Sequence, residues 1–495
     1  MNEPLDHTDE RSATGIPQLD AILGGGLICH RVYLVEGEPG SGKTTLGLQY
    51  LLEGVRRGEK CLYITLSESR EELTSGAASH GWSLDGIEIF ELAPEAMTLD
   101  FDAQVTMYKS SEVELAETTK RLLAAVEGAN PSRIVFDSLS EVRLLAQSSL
   151  RYRREILALK QFFIGRKSTV LLLDDRTSEG SDLHPQSIAH GVISLYHSAP
   201  HYGADHRKLR VIKFRGSHFR GGFHDIAIRT GGLVVFPRLV ATEHSHPFTK
   251  EAITSGVAAL DALLGGGPDR GTSTLLMGPA GAGKSTIALQ YAVAAANRGE
   301  NAVVFAFEEG LATMVARSEA IGMNLSECLQ SGRIRITQMN PAEVSPGEFT
   351  SLVRYAVESE HARVIVMDSL NGYMNAMRDE LSLSLQLHEL LSYLGRRGDA
   401  TLIVVAQHGL IGDQVQSPID TSYLADLVVV LRYFEVGARV KKAISVIKKR
   451  SGSHEDTIRE IWFDNTGIHL SEPLTQFNGV LARTPLEFES DSAHA

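Results

Sequence analysis

A glycine-rich octet occurs twice in this chain of 495 residues and constrains the fold more than any other feature. Residues 37–44 read GEPGSGKT, and residues 278–285 read GPAGAGKS. Both fit the pattern G-x-x-x-x-G-K-[ST], whose backbone turns successive N–H groups onto phosphate oxygens at the start of a helix. Each octet follows an apolar run and precedes a helix-like stretch. The chain is therefore predicted to bind two nucleoside triphosphates.

The residues predicted to contact nucleotide belong to the two octets and to the threonine that follows each of them. They are Gly37, Gly40, Ser41, Gly42, Lys43, Thr44 and Thr45 in the first copy, and Gly278, Gly281, Ala282, Gly283, Lys284, Ser285 and Thr286 in the second.

The octets are part of a longer internal duplication. Lys43 and Lys284 lie 241 residues apart, and the segment 14–26 recurs at 255–267 with the same offset. Continuously apolar runs alternate with helix-length segments in both halves, which predicts parallel sheets covered on both faces. We expect an α/β protein with two tandem P-loop domains, each a mostly parallel sheet covered by helices. A polar, histidine-bearing stretch places their boundary near residue 245, giving domains 1–244 and 245–495.

The composition of the chain restricts which partners it can bind and in which compartment it is expected. The formal net charge of −13 argues against a general grip on nucleic acid. Three cysteines without a CxxC pair indicate neither a disulfide framework nor a zinc site. No apolar run reaches the roughly 18 residues that a spanning helix needs. We therefore predict a cytoplasmic protein with no nucleic-acid partner and no membrane association.

Two aspartates are the predicted ligands of a metal ion. Asp137 and Asp368 each close a buried apolar run and are followed by Ser-Leu. In P-loop enzymes, such an acid and the hydroxyl after the P-loop lysine hold Mg²⁺. The candidate pairs are Thr44 with Asp137 and Ser285 with Asp368. The alternative role for an Asp after a strand is that of a helix N-cap.

Two glutamates occupy the position expected of a catalytic base. Glu68 and Glu309 each lie 25 residues beyond the lysine of their P-loop. A carboxylate there can orient or deprotonate an attacking water or hydroxyl. The halves differ at the preceding position, where the second half has Glu308 and the first half has Ser67. The alternative is that these glutamates are exposed charges at strand ends.

A Lys-x-Arg pair closes a β-branched run in each half. The residues are Lys213 with Arg215 and Lys448 with Arg450. Alternate positions of a strand project to one face, so both cations of a pair can serve one site. Such cations can act across an interface on the γ-phosphate of a neighbouring subunit. The alternative is an exposed strand end without a role.

These motifs together resemble the KaiC family of tandem RecA-like ATPases over nearly the whole chain. The segments that carry the resemblance are the duplicated glycine-rich entry, the two P-loops, Phe-Glu-Glu at 307–309, the two Asp-Ser-Leu strand ends and the Lys-x-Arg pairs. The resemblance implies ATP and Mg²⁺ as cofactors and a homohexamer of two stacked rings. It also implies slow ATP hydrolysis in the first ring, serine/threonine autophosphorylation in the second, and a signalling or clock protein as partner.

The chain departs from the family at the modified residues. The family carries an adjacent Ser-Thr pair, and the matching segment here has Ser422 followed by Tyr423. Glu308 matches the family's base for phosphoryl transfer to that hydroxyl. One candidate phosphosite, Ser422, therefore remains; its alternative role is to cap the helix that follows. In the first half, Ser67 replaces a glutamate, which weakens the expectation of hydrolysis there.

Two other classes of function fit parts of the pattern. A DNA-dependent RecA-like motor, of recombinase or helicase type, would use Gln407 and His408 at the end of an apolar run to couple γ-phosphate to DNA. The acidic charge and the lack of a basic, aromatic-bearing loop count against it. A binding module whose nucleotide state controls a partner is the other alternative.

Overall fold

The computed structural model describes residues 10–92, 111–176, 184–200, 203–376, 383–406, 425–475, 477–478 and 486–487. These residues form two compact units, one ending at Arg238 and the other beginning at Leu239. The boundary predicted near residue 245 stays a prediction. Among the helices of these ranges, none combines the length and the apolar character needed to cross a bilayer.

The first unit is built on a nine-stranded sheet with the order β11-β10-β9-β8-β3-β7-β6-β4-β5. Its strands are β3 (Val32–Gly37), β4 (Cys61–Thr65), β5 (Ile87–Glu91), β6 (Arg133–Asp137), β7 (Thr169–Asp175), β8 (Gly191–Ser198), β9 (His206–Phe214), β10 (Phe223–Arg229) and β11 (Gly232–Phe236), and a separate pair is formed by β1 (Arg11–Ser12) and β2 (Leu27–Ile28). Neighbours from β5 to β8 pair in parallel, and β8 to β11 pair antiparallel.

The helices of the first unit connect these strands. They are α1 (Pro17–Ile22), α2 (Lys43–Arg56), α3 (Arg70–Ser79), α4 (Ser111–Ala129), α5 (Leu139–Ala146), α6 (Ser149–Gly165) and α7 (His184–Ile188). Leu62, Ile134 and Leu172 are buried against one set of helices, whereas Tyr63 and Val135 are buried in the cluster on the other face. Successive strand residues point to opposite faces, so a sheet buried on both sides needs the continuously apolar runs seen in the sequence.

The second unit repeats this architecture, with the sheet order β14-β13-β15-β16-β12-β17-β18-β19-β20. Its strands are β12 (Ser273–Gly278), β13 (Asn301–Ala306), β14 (Ile334–Gln338), β15 (Ala362–Asp368), β16 (Ala400–Ala406), β17 (Leu427–Val436), β18 (Arg439–Lys449), β19 (Ile458–Asp464) and β20 (Gly467–Pro473), with a short pair of β21 (Phe477–Asn478) and β22 (Leu486–Glu487). Its helices are α8 (Ala258–Leu263), α9 (Lys284–Asn297), α10 (Leu311–Ala320), α11 (Leu325–Gln330), α12 (Pro346–Glu358), α13 (Leu370–Ala376) and α14 (Leu383–Arg397), and a 3₁₀ turn spans Ala241–Glu243.

The duplication seen in the sequence is reproduced residue by residue in the first part of each unit. Helices α1, α2 and α3 and strand β3 all coincide with α8, α9, α10 and β12 after a shift of 241 residues. The predicted fold, two tandem RecA-like α/β domains with mostly parallel sheets, is confirmed. In each domain the P-loop strand is the fifth of the nine strands in the sheet, and it has a parallel neighbour on either side. The octet therefore lies at the carboxyl edge of the parallel strands.

Candidate functional site: two P-loops at the carboxyl edges of the sheets

Each octet forms the turn between the central strand and the following helix. Lys43 begins α2 and Lys284 begins α9, and the residue before each lysine is a glycine in the left-handed region, with φ 102° at Gly42 and 109° at Gly283. A Cβ at Gly42 would lie 2.9 Å from Ile228 Cδ1, and the positive φ itself makes any side chain there strained. The glycines let the backbone turn sharply enough to present its N–H groups at the N-terminus of the helix.

The P-loop lysines are folded back onto their own loops. Lys43 Nζ donates to the carbonyls of Gly37 (3.0 Å) and Glu38 (2.9 Å), and it forms an ion pair with Asp175 Oδ1 at 2.7 Å. Lys284 Nζ donates to the carbonyl of Pro279 at 2.7 Å. Burial lowers the pKa of Lys284, and the nearby carboxylates of Asp368 and Glu308 oppose that shift. Both lysines are buried cations held at the mouth of the loop.

A hydroxyl and a carboxylate meet next to each lysine. Thr44 Oγ1 donates to Asp137 Oδ2 at 3.1 Å, and Tyr63 Oη donates to the same oxygen at 2.6 Å. In the second domain, the Ser285 side chain donates a hydrogen bond to Asp368. Burial raises the pKa of both aspartates. The structure thus brings together both predicted pairs.

The donor set fits the metal ion that a P-loop site uses. Thr44 with Asp137 and Ser285 with Asp368 offer only oxygen atoms, which Mg²⁺ prefers, and Mg²⁺ is usually held by one or two protein ligands plus phosphate and water. Within the part of the chain that is described, no group of three or more His, Cys, Asp or Glu side chains could hold a metal ion by itself. A metal here would therefore bind together with the nucleotide.

The three predicted acids have different surroundings. Glu68 follows β4 and is exposed; partial burial, followed by the charges of Asp137 and Glu72, raises its pKa. Glu308 is also exposed, and its Oε1 accepts a hydrogen bond from Ser369 Oγ at 2.9 Å. Glu309 accepts two hydrogen bonds from Arg317, whose Nε donates to Oε1 at 3.1 Å and whose Nη2 donates to Oε2 at 2.8 Å.

The Lys-x-Arg pairs are not brought to the phosphate loop of their own domain. Lys213 is opposite Val192, and Val192 is opposite Leu34, three residues before the end of β3 at Gly37. Lys448 is placed in the same way. It is opposite Val428, and Val428 is opposite Leu275, three residues before the end of β12 at Gly278. About 10 Å of strand thus separates each lysine's position from the P-loop end of the central strand.

The side chains of these pairs contact nearby carbonyls and one carboxylate. Lys213 Nζ donates to the carbonyl of Gln186, and Arg215 Nη2 to that of Ser187 at 3.3 Å. Lys448 Nζ donates to the carbonyl of Ala425 at 2.8 Å. Arg450 Nη1 lies 3.4 Å from Asp426 Oδ1, and its side chain is 54% exposed.

Sequence reasoning missed two charged residues at these sites, Asp175 and Arg317. Asp175 follows an apolar strand in the same way as Asp137, so the rule that found Asp137 could also have found it. Arg317 lies eight residues beyond Glu309 on α10, and no sequence signal links the two. The candidate phosphosite Ser422, and Gln407 with His408, lie outside the described residues.

Two sheets of this order, each with a P-loop at the carboxyl edge and a hydroxyl–aspartate pair beside it, define a tandem RecA-like P-loop ATPase. A family model described as "ATPase: KaiC" matches residues 12–240 and 253–475. The chain belongs to the KaiC family of ATPases, and as a member it binds nucleotide.

Curated relatives match this chain along almost its entire length. The chain is 26% identical over 483 residues to the circadian clock protein KaiC3 of Synechocystis sp., covering 96% of this chain and 95% of that protein. It is 25% identical to the circadian clock protein KaiC2 of the same organism, covering 95% and 83%. It is 23% identical to the circadian clock oscillator protein KaiC of Picosynechococcus sp., covering 99% and 96%.

Proposed function

We propose that this ATPase works as a homohexamer of two stacked rings in the cytoplasm and acts as a nucleotide-driven signalling or timing switch. The observation that carries the proposal is the position of Lys213 and Lys448. Each sits about 10 Å along the sheet from the P-loop end of its own central strand. A cation so placed serves a nucleotide only if it reaches the site of a neighbouring chain, and a ring supplies such a neighbour to every subunit.

Hydrolysis in the first domain follows from the chemistry of its side chains. Lys43 exchanges its carbonyl partners for the β- and γ-phosphates, and Thr44 and Asp137 would hold a Mg²⁺ ion, which would neutralise phosphate charge. Glu68 takes a proton from the water that attacks the γ-phosphorus, and ADP and phosphate leave. The raised pKa of Glu68 suits this role, because a base works best when its pKa approaches the working pH.

The second domain also carries an autokinase activity in this proposal. Glu308, oriented by Ser369, takes the proton from the Ser422 hydroxyl as that oxygen attacks the γ-phosphorus. Ser285 and Asp368 would hold the Mg²⁺ ion, and Lys448 and Arg450 of the adjoining chain stabilise the charge on the transferred group. The bond between the γ-phosphorus and the β-phosphate oxygen breaks, so the products are phosphoserine at position 422 and ADP. A signalling or clock partner would recognise the added charge.

Mixed rings test the proposed assembly. In chains silenced in the second domain by Lys284→Ala, both Lys43→Ala and the double variant Lys213→Ala, Arg215→Ala should be inactive alone. Mixed one to one, they should regain about a quarter of the reference rate, because a quarter of the interfaces then pair an intact loop with an intact Lys-Arg pair. Arg56→Ala, which removes an exposed charge from α2, is the control. A monomer with undiminished activity would refute the ring.

Phosphopeptide mapping after incubation with ATP tests the autokinase. Label is expected in the peptide containing Ser422 and should be lost in Ser422→Ala and in Glu308→Gln, whereas the matched variant Glu309→Gln should keep it. Label that persists in Ser422→Ala would move the site elsewhere. Single-stranded DNA is expected to leave the ATPase rate unchanged, and a several-fold rise would favour a DNA motor instead.

A further inference from the structure

The two domains differ in one residue beside their equivalent glutamates. The shift of 241 residues that superimposes α3 on α10 pairs Glu68 with Glu309 and Thr45 with Thr286. The same shift pairs Gly76 with Arg317. An arginine therefore stands in the second domain at the position where the first domain has no side chain.

Arg317 contacts two side chains from other elements, Glu309 and Thr286. Its Nε and Nη2 bind the two carboxylate oxygens of Glu309, and its Nη1 donates to Thr286 Oγ1 at 2.6 Å. A two-pronged guanidinium–carboxylate pair fixes the orientation of the carboxylate and occupies both of its oxygen atoms. The side chains of Arg317 and Glu309 are only 29% and 26% exposed. A carboxylate held in this way is a poor acceptor for the proton of a water molecule.

The first domain leaves the equivalent space open. A pocket of about 290 Å³ is bordered by Thr45, Glu68, Gly76 and neighbouring residues of α2 and α3. Among the described residues, no cation forms an ion pair with Glu68. The titratable groups around it are Asp137 of β6, Glu72 of α3 and Tyr63 of β4, and His80 lines the same pocket. The charges of Asp137 and Glu72 add to burial in raising the pKa of Glu68, and no guanidinium occupies its carboxylate oxygens among the described residues.

We infer that Arg317 is a positioning residue that withholds Glu309 from water activation, and that Gly76 leaves Glu68 free for the same chemistry. Arg317 therefore limits ATP hydrolysis in the second domain, so that bound ATP there is kept for phosphoryl transfer through Glu308. In the first domain the open position allows hydrolysis. This inference rests on the proposed function, in which Glu68 activates water in the first domain, and on Glu309 being able to do the same in the second.

The inference can be tested in the full-length chain by giving each domain the residue of the other, at Arg317 and at Gly76. In a chain silenced in the first domain by Lys43→Ala, Arg317→Gly should raise hydrolysis at least about fivefold, because a freed general base contributes two or more orders of magnitude at full efficiency. Arg317→Lys, which keeps the charge but not the two-pronged contact, should give an intermediate rate. This variant also shows whether loss of packing alone explains the result.

The reverse exchange uses a chain silenced in the second domain by Lys284→Ala. Gly76→Arg should lower hydrolysis at least about fivefold. The position is open, because nothing apart from the neighbouring backbone of its own helix lies within 4 Å of an added Cβ. The matched control Gly76→Ala adds a side chain without a charge and should keep the rate. In Gly76→Arg, the acid limb of the pH–rate profile should also move to lower pH, because the guanidinium favours ionised Glu68.

Unchanged rates in both Arg317→Gly and Gly76→Arg would overturn the inference. A parallel measurement on Glu68→Gln separates the two levels of the argument. If Glu68→Gln keeps the full rate of the first domain, the proposed base itself is wrong. If Glu68→Gln is inactive while the exchanges have no effect, only the role of Arg317 fails.

Discussion

Lys43 and Asp175 form an ion pair of 2.7 Å, whereas Lys284 has no carboxylate ion-pair partner among the residues that the structure describes. Asp175 lies opposite Gly37 in the parallel pairing of β7 with β3, and the residue opposite Gly278 in the second domain is Ala406. Within the described residues, the lysine that must receive the γ-phosphate is therefore ion-paired with a carboxylate in the first site and not in the second. Nucleotide has to compete with that carboxylate in the first domain.

Asp175→Asn is expected to tighten ATP binding at the first site. The Asp175 side chain is 35% exposed, and such an ion pair is worth up to about 1 kcal/mol, so the Kd should fall about two- to fivefold. Titration of the Lys284→Ala chain with a fluorescent ATP analogue measures this site alone. The same substitution in a Lys43→Ala chain reports the second site, where no change is expected. Weaker binding at the first site would contradict the competition.

Tyr63→Phe is expected to weaken Mg²⁺ binding in the first domain. Tyr63 Oη donates to Asp137 Oδ2 at 2.6 Å and so orients a proposed metal ligand. Loss of such a supporting hydrogen bond typically costs about 10- to 100-fold in metal affinity. The Mg²⁺ concentration for half-maximal hydrolysis, measured in the Lys284→Ala chain, should rise accordingly. The second domain has Val304, which carries no hydroxyl, at the position equivalent to Tyr63. The Mg²⁺ requirement of the second domain, measured in a Lys43→Ala chain, is therefore the comparison.

Arg133→Ala is expected to destabilise the first domain by about 3–5 kcal/mol. Arg133 is 1% exposed; its guanidinium pairs with Glu59 at 2.9 and 2.7 Å and donates to the carbonyls of Ala13 and Tyr50. Removing it takes away the guanidinium donor from these three acceptors and leaves a buried cavity. Urea unfolding measures the change, and the exposed Arg56→Ala should leave the midpoint nearly unchanged. Equal effects of the two substitutions would contradict the prediction.

His190 should make the first domain less stable in mild acid. Burial, followed by the charges of Lys160 and Arg31, lowers the pKa of His190 to about 4, and its Nδ1 accepts a hydrogen bond from the Val32 amide. The unfolded chain has a histidine pKa near 6.5, so it binds the proton more readily than the folded chain. Stability should therefore fall as the pH drops from about 6.5 towards 4.

The size of that loss is limited because His190 is only half-buried. We expect no more than about 2 kcal/mol after allowance for solvent screening. Thermal unfolding at several pH values measures it, and His190→Asn, which cannot take up a proton in this range, should flatten the dependence. A profile that is equally steep in the variant would assign the acid sensitivity to other groups.

The two P-loops, the sheets and the hydroxyl–aspartate pairs were within reach of sequence reasoning because their signals are local. A parallel strand buried on both faces must be continuously apolar, and the polar residue that ends it lies at the carboxyl edge with the phosphate loop. Asp137 and Asp368 were predicted from this rule, and the structure places them at Thr44 and Ser285. Asp175 obeys the same rule but was not predicted.

The contact between Arg317 and Glu309 was beyond such reasoning. The two residues lie on different elements, a strand end and a helix, and their distance depends on how α10 packs against α9 and the sheet. The same holds for the positions of Lys213 and Lys448. Their spacing in the sequence shows that two cations share a face, but the pairing of β8 with β3 and of β17 with β12 decides how far they lie from the loop.

By itself, the amino-acid sequence determined that this protein has two nucleotide-binding domains of one architecture, because a P-loop and a buried parallel strand are each encoded within a few consecutive residues. Only the tertiary structure decided which charges face each other: Asp175 at Lys43, Arg317 at Glu309 and an open pocket at Glu68. Those pairings join residues from separate elements, and electrostatic interaction depends on distances that only the packed chain defines.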